Sequence, residues 1–147
     1  MSIEENKATI RRLNEEFINK SNASILDELY SPELRRSRCG LQWIVSTYDG
    51  QRGFENLHEA FPDYHSQIEE QIGEGDLVIA HCTITGTHRG ELFGIAPTGK
   101  TISMNQVVYY RFYEGKVTEI WAISDELGLL HQLGLVDMHQ MREKLHF

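Results

Sequence analysis

Gly86-Thr87-His88-Arg89-Gly90-Glu91-Leu92-Phe93-Gly94-Ile95-Ala96-Pro97-Thr98-Gly99-Lys100 separates two stretches of strongly β-forming sequence. Residues 77–88 before it and 101–113 after it are rich in Val, Ile, Thr and Tyr and alternate with the period of two expected of strands. The run lacks the GxxxxGK[ST] spacing and leads into a strand where a phosphate loop would open a helix, so Gly94, Pro97 and Gly99 read as turn residues. A further strand over 66–72 reaches 77–88 through Gly73-Glu74-Gly75-Asp76, and Glu114-Gly115 turns 101–113 back into 116–124. These four segments predict an antiparallel meander.

Helical spacing brackets the meander. Ser2 and Glu5 make a capping box ahead of Ile3, Ile10, Leu13 and Phe17, which predicts a helix over 3–20. Ser24 and Asp27 repeat the pattern before Ile25, Leu26 and Leu29, and Ser31-Pro32 ends that short helix. Phe54, Leu57 and Phe61 line a third helix, which Pro62-Asp63 stops, so three helices precede any long strand. After Asp125, Leu135, Met138, Met141 and Leu145 return to helical spacing. Helices first and a bent sheet afterwards predict one α+β domain over 1–147. In that architecture a curved, mainly antiparallel sheet wraps around helices to form a cone with an internal pocket.

Composition narrows the function classes. A chain of 147 residues with 40% hydrophobic content fits a single domain with a real core. The formal charge of -8, with no basic cluster of five or more, argues against nucleic acid as a partner, because phosphate binding relies on many Lys and Arg. Arg35, Arg36 and Arg38 read as a solvated face. No stretch approaches the ~20 apolar residues of a membrane span, and Met1 to Arg12 has no apolar signal core, so a soluble cytoplasmic protein is expected. Cys39 and Cys82 sit in no CxxC spacing and read as free thiols. The 7 histidines show no HxH or HExxH spacing, so no metal is expected.

Asp125 is the leading chemical candidate. With strict alternation, Val117, Glu119, Trp121, Ile123 and Asp125 share one strand face, so the row ends in a carboxylate beside apolar side chains. A desolvated carboxyl shuttles protons better near neutral pH. The competing reading makes Asp125 the N-cap of the turn before Leu127, Leu129 and Leu130. His88 divides in the same way, between bonding a substrate carbonyl and anchoring the loop to backbone. His81 falls on the opposite face from His88.

A two-residue turn at Glu114-Gly115 sets Gln106 opposite Ile123 and Met104 opposite Asp125, which makes Gln106 a substrate-orienting amide or a solvated strand residue. A glycine bulge there would bring Ser103 or Asn105 close instead. Trp121, Tyr110, Val108 and Phe112 form either a flat wall for a planar substrate or plain core.

Ala60-Phe61-Pro62-Asp63, the run from Gly86 to Lys100, Tyr110-Arg111-Phe112, Gly115-Lys116 and Trp121 through Asp125 to Gln132-Leu133-Gly134 together resemble the SnoaL-like polyketide cyclases. That family belongs to the nuclear-transport-factor-two-like superfamily of α+β cones. The resemblance implies a cofactor-free cyclase acting on a small hydrophobic carbonyl compound, with Asp125 as general acid/base in an aldol-type ring closure. Family members often carry a histidine where Ser37 stands, and Cys39 to Val45, with Gln42 and Trp43, is more apolar than their pattern.

The resemblance also implies a homodimer through the outer sheet face, here Val107, Tyr109, Ile120 and Ala122. Two function classes follow: an enzyme, or a non-catalytic cone that binds a ligand or a protein. A ketosteroid-isomerase-like enzyme, needing an oxyanion pair that includes a tyrosine, or a hydrolase is the further alternative. A buried Asp125 favours the enzyme, and an exposed Asp125 capping a helix favours the binding cone.

Overall fold

The computed structural model describes residues 2–37 and 50–146. Helix α1 (Ile3–Arg12) opens with the capping box: Ser2 Oγ accepts from Glu5 N and Glu5 accepts from Ser2 N. It continues into a π-helical segment (Leu13–Asn19), followed by a 3-10 turn (Ala23–Ile25) and the short α2 (Leu26–Leu29). Then come β1 (Tyr30–Ser37), α3 (Gly50–Ala60), β2 (His65–Glu74), β3 (Leu77–Thr87), β4 (Thr101–Tyr113), β5 (Lys116–Ser124), α4 (Glu126–Gln132) and α5 (Met138–Leu145).

Among the described residues, five strands form one open, mixed sheet in the order β1-β5-β4-β3-β2. The expected meander β2-β3-β4-β5 is present, and β4 and β5 occupy the spans expected for them. Glu114 and Gly115 take positive φ of 48° and 78°, the geometry of a two-residue type I′ hairpin turn.

One strand departs from expectation. Residues 30–37, read as a helix stop and a solvated arginine face, form β1 and pair in parallel with β5. The signal was hidden because β1 is an edge strand with an interrupted register, where Pro32 costs no ladder bond and the outer face carries charge.

The concave face of the sheet carries Val78, Ala80, Cys82, Ile84, Val108, Tyr110 and Phe112, against which Ile10, Leu13, Phe17 and Phe61 pack. The π-helical segment is clasped to β2 by amides. Asn14 Nδ2 and Asn19 Nδ2 donate to Ser66 O at 2.9 and 3.0 Å, and Ser66 N donates to Asn19 Oδ1 at 2.7 Å. Ser66 lies buried at an edge strand, where its backbone groups need such partners.

The loop from Gly86 to Lys100 is pinned at its start. Arg89 N and Gly90 N donate to Ala60 O, and a Cβ on Gly90 would lie 2.2 Å from Glu59 O, so only glycine fits this approach. Nearby, Thr87 donates through both N and Oγ1 to Asp63, and these bonds hold the Asp63 carboxyl below its usual range. A depressed folded value adds stability above the unfolded value of about 3.9 and loses it as pH falls through the folded value. Wild type is therefore expected to lose more stability than Asp63→Asn below about pH 4, read by urea unfolding at stepped pH; parallel curves would contradict the clasp.

Candidate functional site

A bulge decides which side chains face the interior. Phe112 pairs with Val117, but Arg111 pairs with Glu119, so Thr118 is an extra residue in β5. An extra residue reverses the alternation beyond it. Val117 is buried before the bulge; beyond it Ile120, Ala122 and Ser124 face inward. Trp121 and Ile123 turn to the outer face, where they are 37% and 48% exposed. Gln106 accordingly pairs with Ser124, not with Ile123.

The inward face and α3 enclose a cavity of about 150 Å³. That is small beside the ~300–1,000 Å³ of common ligand pockets, so it suits a slim ligand. Ile18 from the π-helical segment, Phe54 and Leu57 from α3, and Ile84, Ile102 and Val108 from the sheet supply apolar wall. His58 fixes α3 in place, its Nε2 lying 2.7 Å from Ile18 O.

Polar groups enter at two levels. Gln106 and Ser124 stand together, with Gln106 Nε2 donating to Ser124 Oγ at 3.0 Å. Further along the strands, Tyr30, Arg36, Tyr64 and Tyr110 line the same cavity. Burial pushes all three phenols up, so they stay protonated. Burial likewise raises the Cys82 thiol, which is free and unreactive in this setting.

Of the residues singled out from sequence, Met104, Gln106 and Tyr110 lie on the cavity wall. Val108 lines it too, and Phe112 is core. Trp121 and Ile123 do not line it, because of the bulge, and the flat wall expected from Trp121 is absent from the interior. Ile120 and Ala122, expected on the outer face, are inside instead. Ser37 lines the cavity at the end of β1, while Arg38, Cys39, Gln42 and Trp43 lie outside the described residues. Arg36, Tyr30, Ser124 and Glu126 were not found from sequence, since their inward aim depends on β1 and on the bulge; Tyr64, one of the tyrosines a ketosteroid-isomerase-like site could use, also lines the cavity.

Asp125 is exposed and caps α4, its Oδ1 accepting from Gly128 N at 3.0 Å. A Cβ on Gly128 would lie 2.2 Å from Asp125 Oδ2, so the glycine makes room for the carboxylate. This is the arrangement that favours a binding cone on the burial criterion. Its neighbours on both sides, Ser124 and Glu126, line the cavity, whereas Asp125 itself does not.

His88 is fully buried at 0% exposure but lies outside the cavity lining. Thr98 N donates to its Nδ1 at 3.2 Å, so the proton sits on Nε2, and the backbone of His88 bonds to Gly99 and Lys100. The ring packs on Phe61 and ties the two ends of the loop together. His88→Ala is expected to cost about 3 kcal/mol of stability through lost packing and an unpaired Thr98 amide. Denaturant melts check this; a loss under about 0.5 kcal/mol would remove the anchor role. His81 bonds Asn105 on the outer face. Among the described residues no three His, Cys, Asp or Glu side chains cluster as metal ligands, and no helix is long and apolar enough to cross a membrane.

Comparison with known proteins gives consistent matches. The profile of the SnoaL-like polyketide cyclases matches residues 8–133. The chain is 30% identical over 106 residues to aklanonic acid methyl ester cyclase AcmA of Streptomyces galilaeus, covering 72% of this chain and 64% of that protein. It is 30% identical over 92 residues to nogalonic acid methyl ester cyclase of Streptomyces nogalater, covering 63% of this chain and 60% of that one. The chain thus spans less than two thirds of the length of either cyclase.

Among solved structures, AclR of Streptomyces galilaeus, a proposed hydroxylase, superposes with a TM-score of 0.78 at 28% identity over 92% of this chain and 89% of its own. IdmH of Streptomyces antibioticus, a proposed polyketide cyclase, superposes with a TM-score of 0.73 at 28% identity over 88% of this chain and 98% of its own.

Proposed function

The chain belongs to the SnoaL-like polyketide cyclase family, and on that premise we propose that it closes a ring in a small, hydrophobic, enolisable carbonyl compound. The observation that carries this reading is the largely apolar cavity lined by Ser124 and Glu126, the two residues that flank Asp125. In the step, a carboxylate removes a proton alpha to a carbonyl. The resulting carbanion attacks a second carbonyl carbon of the same molecule, the π pair moves to oxygen, and that oxygen takes a proton. Only an acid and a base are required, so the reaction needs no metal or organic cofactor.

Asp125 is the proposed acid/base. Its carboxylate is held by the cap bond from Gly128 N, and its two sequence neighbours line the cavity. Gln106 and Ser124 orient the substrate, with Met104 and Tyr110 as wall. His88 acts through the loop it anchors. The exposure of Asp125 favours a second reading, a cone that binds the same class of ligand without turning it over.

A turnover screen with polyketide methyl esters and other enolisable ketones separates these. A cyclase gives an isomer or a dehydrated ring; a hydroxylase gives a product with one added oxygen; a binding cone gives neither. Recovery of unchanged substrate across the panel would sink the enzyme reading.

The outer sheet face carries Trp121, Ile123, Val107 and Tyr109, an exposed apolar surface that a homodimer would cover. Light scattering is expected to give twice the chain mass, and Trp121→Glu to reduce it to one chain. A wild-type monomer at micromolar concentration would end this part of the proposal.

A further inference from the structure

Building on the ligand-binding reading of the cavity, a second subsite lies away from its carboxylate end. Arg36 sits on β1 opposite Ile120, and Tyr110 faces the same Ile120 from β4. The Arg36 guanidinium lies over the Tyr30 ring, 5.3 Å from its centroid. Arg36, Tyr30, Tyr64 and Tyr110 all border the cavity, and the charge of Arg36 is felt at the phenols of both Tyr30 and Tyr110.

Among the described residues, no carboxylate lies within salt-bridge distance of Arg36, and the Tyr64 and Tyr110 hydroxyls make no side-chain hydrogen bond. The outer-face arginines behave differently: Arg35 and Arg111 are both paired to Glu119, at 3.7 and 3.5 Å. The guanidinium can only donate, and the three phenols that border the same largely apolar cavity add O–H donors beside it. A neutral, apolar ligand end would leave that charge with no anionic partner, whereas an anionic oxygen would meet a planar fork of donors.

The distance from the acid end is set by strand geometry. Ile120 and Ser124 are four residues apart, about 13 Å along β5 at a rise of ~3.3 Å per residue. Arg36 therefore does not face the atom that Asp125 attacks. We propose that Arg36, with Tyr30, Tyr64 and Tyr110, forms a distal subsite that recognises a carboxylate on the end of the ligand remote from the reacting carbonyl. It selects substrates bearing a free acid there over their esters.

The test measures binding and needs no turnover, so it can fail independently of the cyclase proposal. 2-Naphthoic acid, its methyl ester and 2-naphthol are titrated calorimetrically into wild type, Arg36→Met and Arg36→Lys at pH 7.5, where the first is ionised and the last is not. Wild type is expected to bind the naphthoate at least about tenfold more tightly than either neutral probe, as a charge-assisted, two-point contact should. Arg36→Met is expected to bind the three alike, and Arg36→Lys to keep part of the preference. Circular dichroism and melting of each variant confirm folding. Equal binding of acid and ester by wild type, no binding of naphthoate at all, or an undiminished preference in folded Arg36→Met would overturn the subsite. A preference in a protein without turnover would leave the subsite standing and remove only the cyclase.

Discussion

Asp125→Asn is expected to lower kcat by about 10²–10⁴-fold, the usual contribution of a positioned acid/base, while leaving the fold intact. The substitution is unusually clean because asparagine is as good an N-cap as aspartate and its side-chain oxygen can still accept from Gly128 N. Any activity loss then reports the lost proton transfer and not a frayed α4. Asp125→Ala serves as the contrast, adding about 1 kcal/mol of lost cap to the same kinetic defect.

Glu126→Gln is the needed companion, because Glu126 lines the cavity and stands next in sequence. It is expected to change kcat by less than about tenfold, since the proposal gives it no proton to carry. Should Glu126→Gln abolish turnover and Asp125→Asn spare it, the acid/base role belongs to Glu126. Equal turnover of wild type and both variants would remove this pair of carboxylates from the mechanism.

Phe17→Ala is expected to produce the largest loss of stability, about 3–5 kcal/mol, out of the roughly 5–15 kcal/mol that holds a typical domain. Phe17 is 1% exposed on the π-helical segment and meets Phe54 edge to face, with centroids 5.0 Å apart and planes at 70°. Phe54 lines the cavity, so the void left by Phe17 lets the wall behind the ligand collapse. Urea unfolding measures the first effect, and weakened ligand binding by the residual folded protein measures the second. A destabilisation below about 1 kcal/mol would mean that this helix does not hold the concave face as described.

The strands were legible wherever local chemistry announced them. Glu114-Gly115 reads as a two-residue hairpin turn that makes Tyr113 face Lys116, and that pair is present. What the sequence did not announce was Thr118: no glycine or proline marks the bulge there, yet it exchanges the two faces of β5 for six residues. That one insertion sends Trp121 and Ile123 outward and brings Ile120, Ala122 and Ser124 inside, so a site built on strict alternation selects the wrong odd-numbered partners for Gln106. The β4 side of the cavity, Met104, Gln106, Val108 and Tyr110, was readable because β4 itself keeps its alternation throughout.

Arg36 was unreadable for a different reason. In sequence it is the middle of three arginines on an acidic protein, which looks like a solvated patch. Its aim depends on a parallel pairing with β5, a contact across some 85 positions that no local pattern encodes. Asp125 shows the reverse case: of its two sequence readings the N-cap is the one observed, and the acid/base role is a proposal. Loop-anchoring by His88 was likewise one of two readings, and its geometry follows from Thr98 lying ten positions on.

Removal of a proton alpha to a carbonyl is the step on which the proposed chemistry turns, and hydrogen–deuterium exchange in heavy water measures it without requiring ring closure to complete. A polyketide methyl ester or a simpler aromatic β-keto ester is incubated with the protein in D₂O, and deuterium at the alpha carbon is followed by NMR. Wild type is expected to speed exchange well above buffer, with Asp125→Asn returning it to the buffer rate. Exchange at the buffer rate with wild type, on ligands shown by titration to occupy the cavity, would contradict the account and leave a binding cone.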